Sequence, residues 1–179
     1  MENKDYQMAY SDWMALFDLF TTKTLLAPKW NNDKPEWMKE PYVVKRGNRM
    51  TVCATNGAVI IFVDYSMLQH GIYKFPIINK FPQMPKLLPK NKRQSIPADV
   101  IAKNVYDVND DETLCITVGE GCYLANFWLP IKAAIFNLGA ENITVLSKPS
   151  KTDMLVLEIV EGVRCAIMPF NPNGDEEKR

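Results

Sequence analysis

The residues that could carry acid–base, nucleophilic or metal chemistry are few and scattered. The 179-residue chain has one histidine, His70, and four cysteines, none of them in a Cys-x-x-Cys pair. Zinc sites need several His or Cys ligands at short, regular spacing, and catalytic triads need a nucleophile in a recognisable context. Neither pattern occurs. We therefore predict no enzymatic activity, no catalytic residue, no metal site and no cofactor.

The densest carboxylate group is the segment "DVNDDE" at residues 107–112. It resembles a calcium-binding loop but lacks the glycine at the sixth position and the glutamate at the end of that pattern. Glycine-rich phosphate loops of the Walker or dinucleotide type are absent as well. We interpret the acidic segment as a solvated turn.

Composition narrows the classes of protein. Hydrophobic residues make up 47% of the chain, which is enough to form a hydrophobic core. Lys plus Arg equal Asp plus Glu at 21 each, so the formal net charge is zero and no overall electrostatic field attracts nucleic acid or an anionic membrane. No apolar stretch approaches the ~20 residues that span a bilayer. Residues 1–13 are polar and carry no signal-peptide pattern. We expect a cytoplasmic protein with reduced cysteines and no membrane contact.

One local basic segment stands out. Residues 65–98 contain no Asp or Glu, and five prolines between residues 75 and 97 keep the segment extended and irregular. Two interpretations remain open. It is a solvated connector, or it contacts phosphate or an acidic partner, with Lys86, Lys90, Lys92 and Arg93 as the nucleic-acid-binding residues.

The tryptophans Trp30 and Trp37 lie in a second Pro-rich loop, at residues 28–41. They either stack on bases or cover an open end of a sheet.

The elements that must position any site follow from hydrophobic spacing. Trp13, Leu16, Phe17 and Phe20 form one helical face after Ser11, a good N-cap residue. Three strands follow, "YVVKR", "MTVCAT" and "AVIIFVDYS". The last two flank Asn56-Gly57, which predicts a hairpin with a type I′ turn centred on those two residues.

A similar series occurs nearer the C-terminus. Two short strands, "TLCITV" and "CYLANF", precede a helix with Asn126 as its cap, Pro130 in its first turn and Gly139 after its end. Three more strands follow, "NITVLS", "MLVLEIV" and "RCAIMPF".

The sequence thus predicts an α+β fold in which two helix-plus-three-strand units form one antiparallel sheet covered by two helices. We expect a single domain over residues 1–179. Its first half is about 11–64, the basic connector 65–98, the second half about 113–170, and a polar tail 171–179.

Two motifs resemble bacterial sliding clamps, the β subunits of DNA polymerase III. Residues 129–170 are similar to the closing segment of a clamp, which ends in "MP" and an apolar residue, here Met168-Pro169-Phe170. The clamps carry "ATDGHRLA" in a strand–turn–strand, and this chain has "ATNGAVI" from residue 54. The family's Asp is Asn56 here, and its His-Arg pair is Ala58-Val59.

The resemblance implies a DNA-clamp-like fold and a role in DNA replication or repair. In clamps, these two motifs line an apolar pocket that captures short peptides of polymerases and repair proteins, although there the two walls come from neighbouring domains. Carried over by position, one wall consists of Thr55, Gly57, Ala58, Val59 and Ile60. The other consists of Ile167, Met168, Pro169 and Phe170. The implied partners are replication or repair proteins, DNA and further copies of the chain in a homo-oligomer; the alternative is a nucleic-acid-binding protein that uses residues 74–93 without clamp activity.

Overall fold

A computed structural model describes residues 8–23, 36–68, 74–78, 94–97, 105–107, 114–118, 120–147 and 152–170, and every structural statement below concerns these. His70, Trp30, the four predicted nucleic-acid-binding residues and the polar tail lie outside them. The helices are α1 (Tyr10–Phe20) and α2 (Ala125–Asn137), with the 3-10 turns η1 (Glu36–Met38) and η2 (Tyr65–Met67). The strands are β1 (Tyr42–Arg46), β2 (Arg49–Thr55), β3 (Val59–Asp64), β4 (Gln94–Pro97), β5 (Val105–Asp107), β6 (Leu114–Val118), β7 (Gly121–Leu124), β8 (Asn142–Val145), β9 (Leu155–Val160) and β10 (Val163–Ile167).

The strands form a large and a small antiparallel sheet. The large sheet has seven strands in the order β1-β2-β3-β10-β9-β8-β4, so β3 and β10 pair at its centre. The small sheet has the order β5-β6-β7. The predicted α+β class, with two helices and a large antiparallel sheet, is confirmed. All six strands of the two predicted units, β1–β3 and β8–β10, lie in this large sheet, whereas β6 and β7, which precede the second helix, pair with β5 in the small sheet.

One face of the large sheet carries the main core. The predicted face of α1, Trp13, Leu16, Phe17 and Phe20, is fully buried there, and the Trp13 and Phe17 rings stack with their centroids 5.7 Å apart. Helix α2 contributes Phe127, Trp128, Ile131, Ala134 and Leu138 to the same cluster. A fully buried large apolar side chain contributes about 1.5–3 kcal/mol. Burial of these two faces therefore holds α1 on β2 and β3 of the large sheet, and α2 on β6 and β7 of the small sheet and on β10.

The opposite face of the large sheet is apolar too. A second cluster there contains Tyr42, Cys53, Ile60, Leu146, Val156 and Ala166. The Trp37 ring lies 5.8 Å from the Tyr42 ring, nearly perpendicular to it, and packs against this cluster. Of the two interpretations of Trp37, the structure therefore supports a cover for the sheet.

The segment 74–78 lies along the β1 edge of the large sheet and is hydrogen-bonded to it. The Val43 N–H donates to the Pro76 carbonyl at 2.8 Å, and the Ile78 N–H donates to the Val43 carbonyl at 3.0 Å. These two bonds make a short parallel bridge between Val43 and Ile77.

The helix starts differ from their predictions. Helix α1 is preceded by Ala9 and α2 by Leu124, and neither residue caps its helix through a side chain. Ser11 and Asn126 therefore lie inside the first turns, and Pro130 lies within α2. Gly139 follows α2 with a φ of +58°, as predicted. In the described part of the chain, no helix is long and apolar enough to cross a bilayer.

Candidate functional site

The β2–β3 hairpin turn forms one half of the candidate site. The strands end at Thr55 and resume at Val59, and the Asn56 N–H donates to the Val59 carbonyl at 3.3 Å. The central residues of the turn are therefore Gly57, with a φ of +93°, and Ala58. The hairpin is confirmed, but its turn is centred one residue later than predicted.

Two side chains hold this turn. The Thr55 hydroxyl donates to the Val59 carbonyl at 2.8 Å and accepts from the Gly57 N–H at 3.0 Å. Asn56 Oδ1 accepts from the N–H groups of Ala58, at 2.9 Å, and Val59, at 3.1 Å. An amide oxygen that binds the backbone two or three residues onward displaces the ordinary turn pattern, which is why the centre shifts.

Asn56 is buried, with 2% of its surface exposed, and its amide is only half satisfied. Because Oδ1 takes both backbone N–H groups, the amide Nδ2 points away from them and has no hydrogen-bond partner among the described residues. A buried donor of this kind costs about 1–3 kcal/mol. The turn therefore forms despite the free-energy cost of this unsatisfied amide donor.

The terminal segment 168–170 forms the other half. Ile167, the last residue of β10, pairs with Val59, and the Met168 N–H then donates to the Ala58 carbonyl at 2.8 Å. Two residues later, the Phe170 N–H donates to the Cys122 carbonyl in β7 at 2.7 Å. The structure therefore brings the two predicted walls side by side, with the terminal segment running from the large sheet to the small one.

Only part of the two predicted walls reaches the surface. Gly57 is exposed, Met168 is 46% exposed, and Pro169 and Phe170 are half-buried. The others are buried: Thr55, Ala58, Val59, Ile60 and Ile167. Val59 packs in the helix-side cluster and Ile60 in the opposite one, because successive strand residues point to opposite faces of a sheet.

Met38 is a member of the site that the sequence did not indicate. A Cβ at position 57 would lie 3.7 Å from Met38 Cε, so the methionine side chain lies beside the turn. The Met38 carbonyl accepts the N–H of Thr22 at 2.9 Å, which ties η1 to the end of α1. We call Met38, Gly57, Met168, Pro169 and Phe170 the Met168 surface.

The Met168 surface contains no ionisable side chain, so its chemistry is apolar contact. Methionine is flexible and polarisable and adapts to differently shaped apolar partners. The strongest shifts in acidity lie elsewhere in the large sheet. Burial raises the pKa of the Cys165 thiol far above its ordinary value. The pKa of Tyr42 is also raised, mainly by burial and to a smaller extent by electrostatic interaction with Cys53, so both groups stay neutral.

The described residues hold no group of three His, Cys, Asp or Glu side chains that could bind a metal ion. No protein-family model matches the chain, and no curated protein matches it either.

Proposed function

We propose that the protein is a non-enzymatic, sliding-clamp-like binding protein that captures short apolar peptides of replication or repair proteins at the Met168 surface. The observation that carries the proposal is the contact of Met168 with Ala58. Two motifs more than a hundred residues apart in sequence each resemble a clamp pocket wall, and they lie hydrogen-bonded to one another.

The arrangement of the large sheet supports a clamp-like internal repeat. Each helix is followed by three strands, and the strand order β1-β2-β3-β10-β9-β8 reads as two such units joined at their last strands. The hydrogen bond from Met168 to the β2–β3 turn has a counterpart. The Asp64 N–H at the end of β3 donates to the Gly162 carbonyl in the β9–β10 turn, also at 2.8 Å. We infer an approximate twofold axis between β3 and β10.

The residues of the site suggest which peptides bind. The clamps' His-Arg pair is replaced by Ala58-Val59, and both are buried here. The Met168 surface therefore offers no cation to a peptide carboxylate. We expect affinity to come from one or two large apolar side chains, such as leucine or phenylalanine, packed between Met38 and Met168.

Fluorescence polarisation of a labelled clamp-binding peptide, rich in leucine and phenylalanine, tests the proposal. Met168→Glu places a charge at the centre of the contact, and we expect peptide affinity to fall about tenfold or more. Met50→Glu is the matched control, because Met50 is 37% exposed near the start of β2, at the other end of the sheet. Absence of binding to the unaltered protein, or equal losses in both variants, would contradict the proposal.

The alternative function, nucleic-acid binding through residues 74–93, stays a prediction from sequence, because Lys86, Lys90, Lys92 and Arg93 lie outside the described residues. It is distinguished by salt: binding to single- or double-stranded DNA should weaken steeply with ionic strength and on neutralising those four residues. Peptide capture at an uncharged surface should depend neither on ionic strength nor on those four residues.

A further inference from the structure

Helix α2 carries large apolar residues on two faces, the outer of which also exposes Asn126, Lys132 and Asn137. Phe127, Ile131 and Ala134 face the main core and are buried. A second set with the same i, i+4, i+7 spacing begins two residues later and consists of Leu129, Ala133 and Phe136. Two residues correspond to a rotation of about 200° around the helix axis, so this second set lies on the outer face. On that outer face Leu129 is 45% exposed and Phe136 is 85% exposed.

A helix on a protein surface ordinarily carries polar residues on its outer face. Single exposed apolar residues are common and need no explanation, but here two large ones lie on one stripe, seven residues apart. Apolar residues at this spacing form the stripe along which one helix packs against another. The outer face of α2 therefore has the pattern of a contact surface.

The outer face of α1 has the complementary character. Ser11, Asp12 and Ala15 are exposed there and Leu19 beside them is half-buried, so the exposed part of the face is small and acidic. Helix α1 contains Asp12 and Asp18 and no basic residue, whereas α2 contains Lys132 and no acidic residue. Lys132 is exposed one turn before Phe136. Since α1 and α2 contact each other in one chain, the two outer faces form adjacent ridges of opposite size and charge.

We propose that the helix layer is the interface with a second copy of this chain, in which α2 of each protomer packs on α1 of the other. A twofold axis makes this contact occur twice, as in most homodimers. Phe136 and Leu129 then pack over Ser11 and Ala15 of the partner protomer, and Lys132 approaches the partner's Asp12. Nucleic acid is a poorer occupant, because the two helices together carry two carboxylates and one ammonium group. The proposal does not depend on peptide capture at the Met168 surface.

Sedimentation velocity of the full chain over a wide concentration range tests this interface. We expect a monomer–dimer equilibrium whose dissociation constant rises about 30-fold or more in Phe136→Ser, as for truncated aromatic anchors at interfaces, and less in Leu129→Ser. Ile77→Ser is the matched control, because Ile77 is 60% exposed on the segment beside β1. That variant should dimerise like the unaltered protein.

The charges test the pairing of α2 with α1. Lys132→Glu and Asp12→Lys should each weaken the dimer several-fold, and the double variant should recover it. Circular dichroism checks that each variant keeps its fold, which is expected because these side chains are exposed in the single chain.

A monomer at every concentration would overturn the proposal. So would a dimer that Phe136→Ser leaves unchanged, or one that Ile77→Ser weakens equally. Binding of duplex DNA that is lost in Lys132→Glu, without self-association, would assign the helix layer to nucleic acid instead.

Discussion

The two ends of the central strand pair have the same backbone connections and different side chains. At one end, Met168 follows β10 and donates its N–H to the β2–β3 turn; at the other, Asp64 ends β3 and donates its N–H to the β9–β10 turn. Each turn has a glycine with positive φ, Gly57 at +93° and Gly162 at +83°. The backbone alone therefore does not distinguish the candidate site from the turn at the other end.

The side chains make the difference. The first end has a buried asparagine in the turn and the apolar Met168 surface around it, whereas the second end exposes Asp64 and Glu161. Apolar surface that water can reach is what a peptide side chain can bury, and charged groups at the second end would have to be desolvated. The comparison teaches that the two ends differ in their side chains and not in their backbone connections.

The largest expected difference between the two ends is in stability. Asn56→Ala removes the acceptor of two buried N–H groups, each costing about 1–3 kcal/mol when unsatisfied, and it also removes the unpartnered Nδ2. We expect the free energy of unfolding in urea to fall by about 2–4 kcal/mol. Glu161→Ala, at an exposed position of the other turn, should change it by less than about 0.5 kcal/mol.

Asn56→Asp retains an acceptor oxygen and should lose less stability than Asn56→Ala. Equal losses in Asn56→Ala and Glu161→Ala would mean that the two turns contribute alike, and the comparison would fail.

The glycines give a smaller and more specific difference. Alanine at positive φ costs about 1–2 kcal/mol, so both Gly57→Ala and Gly162→Ala should destabilise the protein. At position 162 the new Cβ would also lie 3.2 Å from Met67 Cγ, whereas at position 57 the nearest atom is Met38 Cε at 3.7 Å. Gly162→Ala should therefore be the more damaging in urea denaturation. The double variant Gly162→Ala/Met67→Ala should be less destabilised than the sum of its parts; strict additivity would show that Met67 plays no part.

The smallest expected effect on stability concerns Cys165, which lies in the middle of β10, between the two ends. Its pKa is raised by burial in the folded chain, while in the unfolded chain it returns to its ordinary value of 9.0. Below that pH the thiol is protonated in both states and contributes no pH dependence. Above it only the unfolded chain releases the proton, so stability falls with rising pH, by up to about 1.4 kcal/mol per pH unit.

Urea titrations at increasing alkaline pH measure this effect. Cys165→Ala should show a shallower loss than the unaltered protein, and the contribution of Tyr42 cancels because it is common to both. Parallel curves for the two proteins would mean that the thiol reaches solvent and that the centre of the sheet is open.

The helices and hairpins were predictable because their signals are local. The spacing of Trp13, Leu16, Phe17 and Phe20 defines a buried face without any knowledge of its partner, and Asn56-Gly57 marks a hairpin. The shifted turn centre was not predictable, since it depends on which backbone groups Asn56 Oδ1 binds. Strands β4 and β5 were also missed, because a Pro-containing and an acidic segment become strands only by pairing with β8 and β6.

The proximity of the two motifs is shown by the structure, while their role in binding a peptide stays a prediction. Sequence motifs named both halves, and the contact between Met168 and Ala58 brings those halves together. Exposure could not be read from the motif, because Val59 and Ile60 alternate between two buried faces of a sheet that is apolar on both sides. Met38 gave no signal, because it lies in the Pro-rich segment 28–41, and only the fold places it beside Gly57.

The bridge between segment 74–78 and β1 bears on how the protein avoids aggregation. Unpaired edges of β-sheets recruit strands from other chains and start uncontrolled polymerisation. Here both backbone groups of Val43 that face outward are already occupied, by Pro76 and Ile78, and proline brings no N–H of its own to extend a ladder. A strand from another chain would first have to displace this segment at Val43, so the bridge hinders intermolecular sheet growth at that point of the β1 edge.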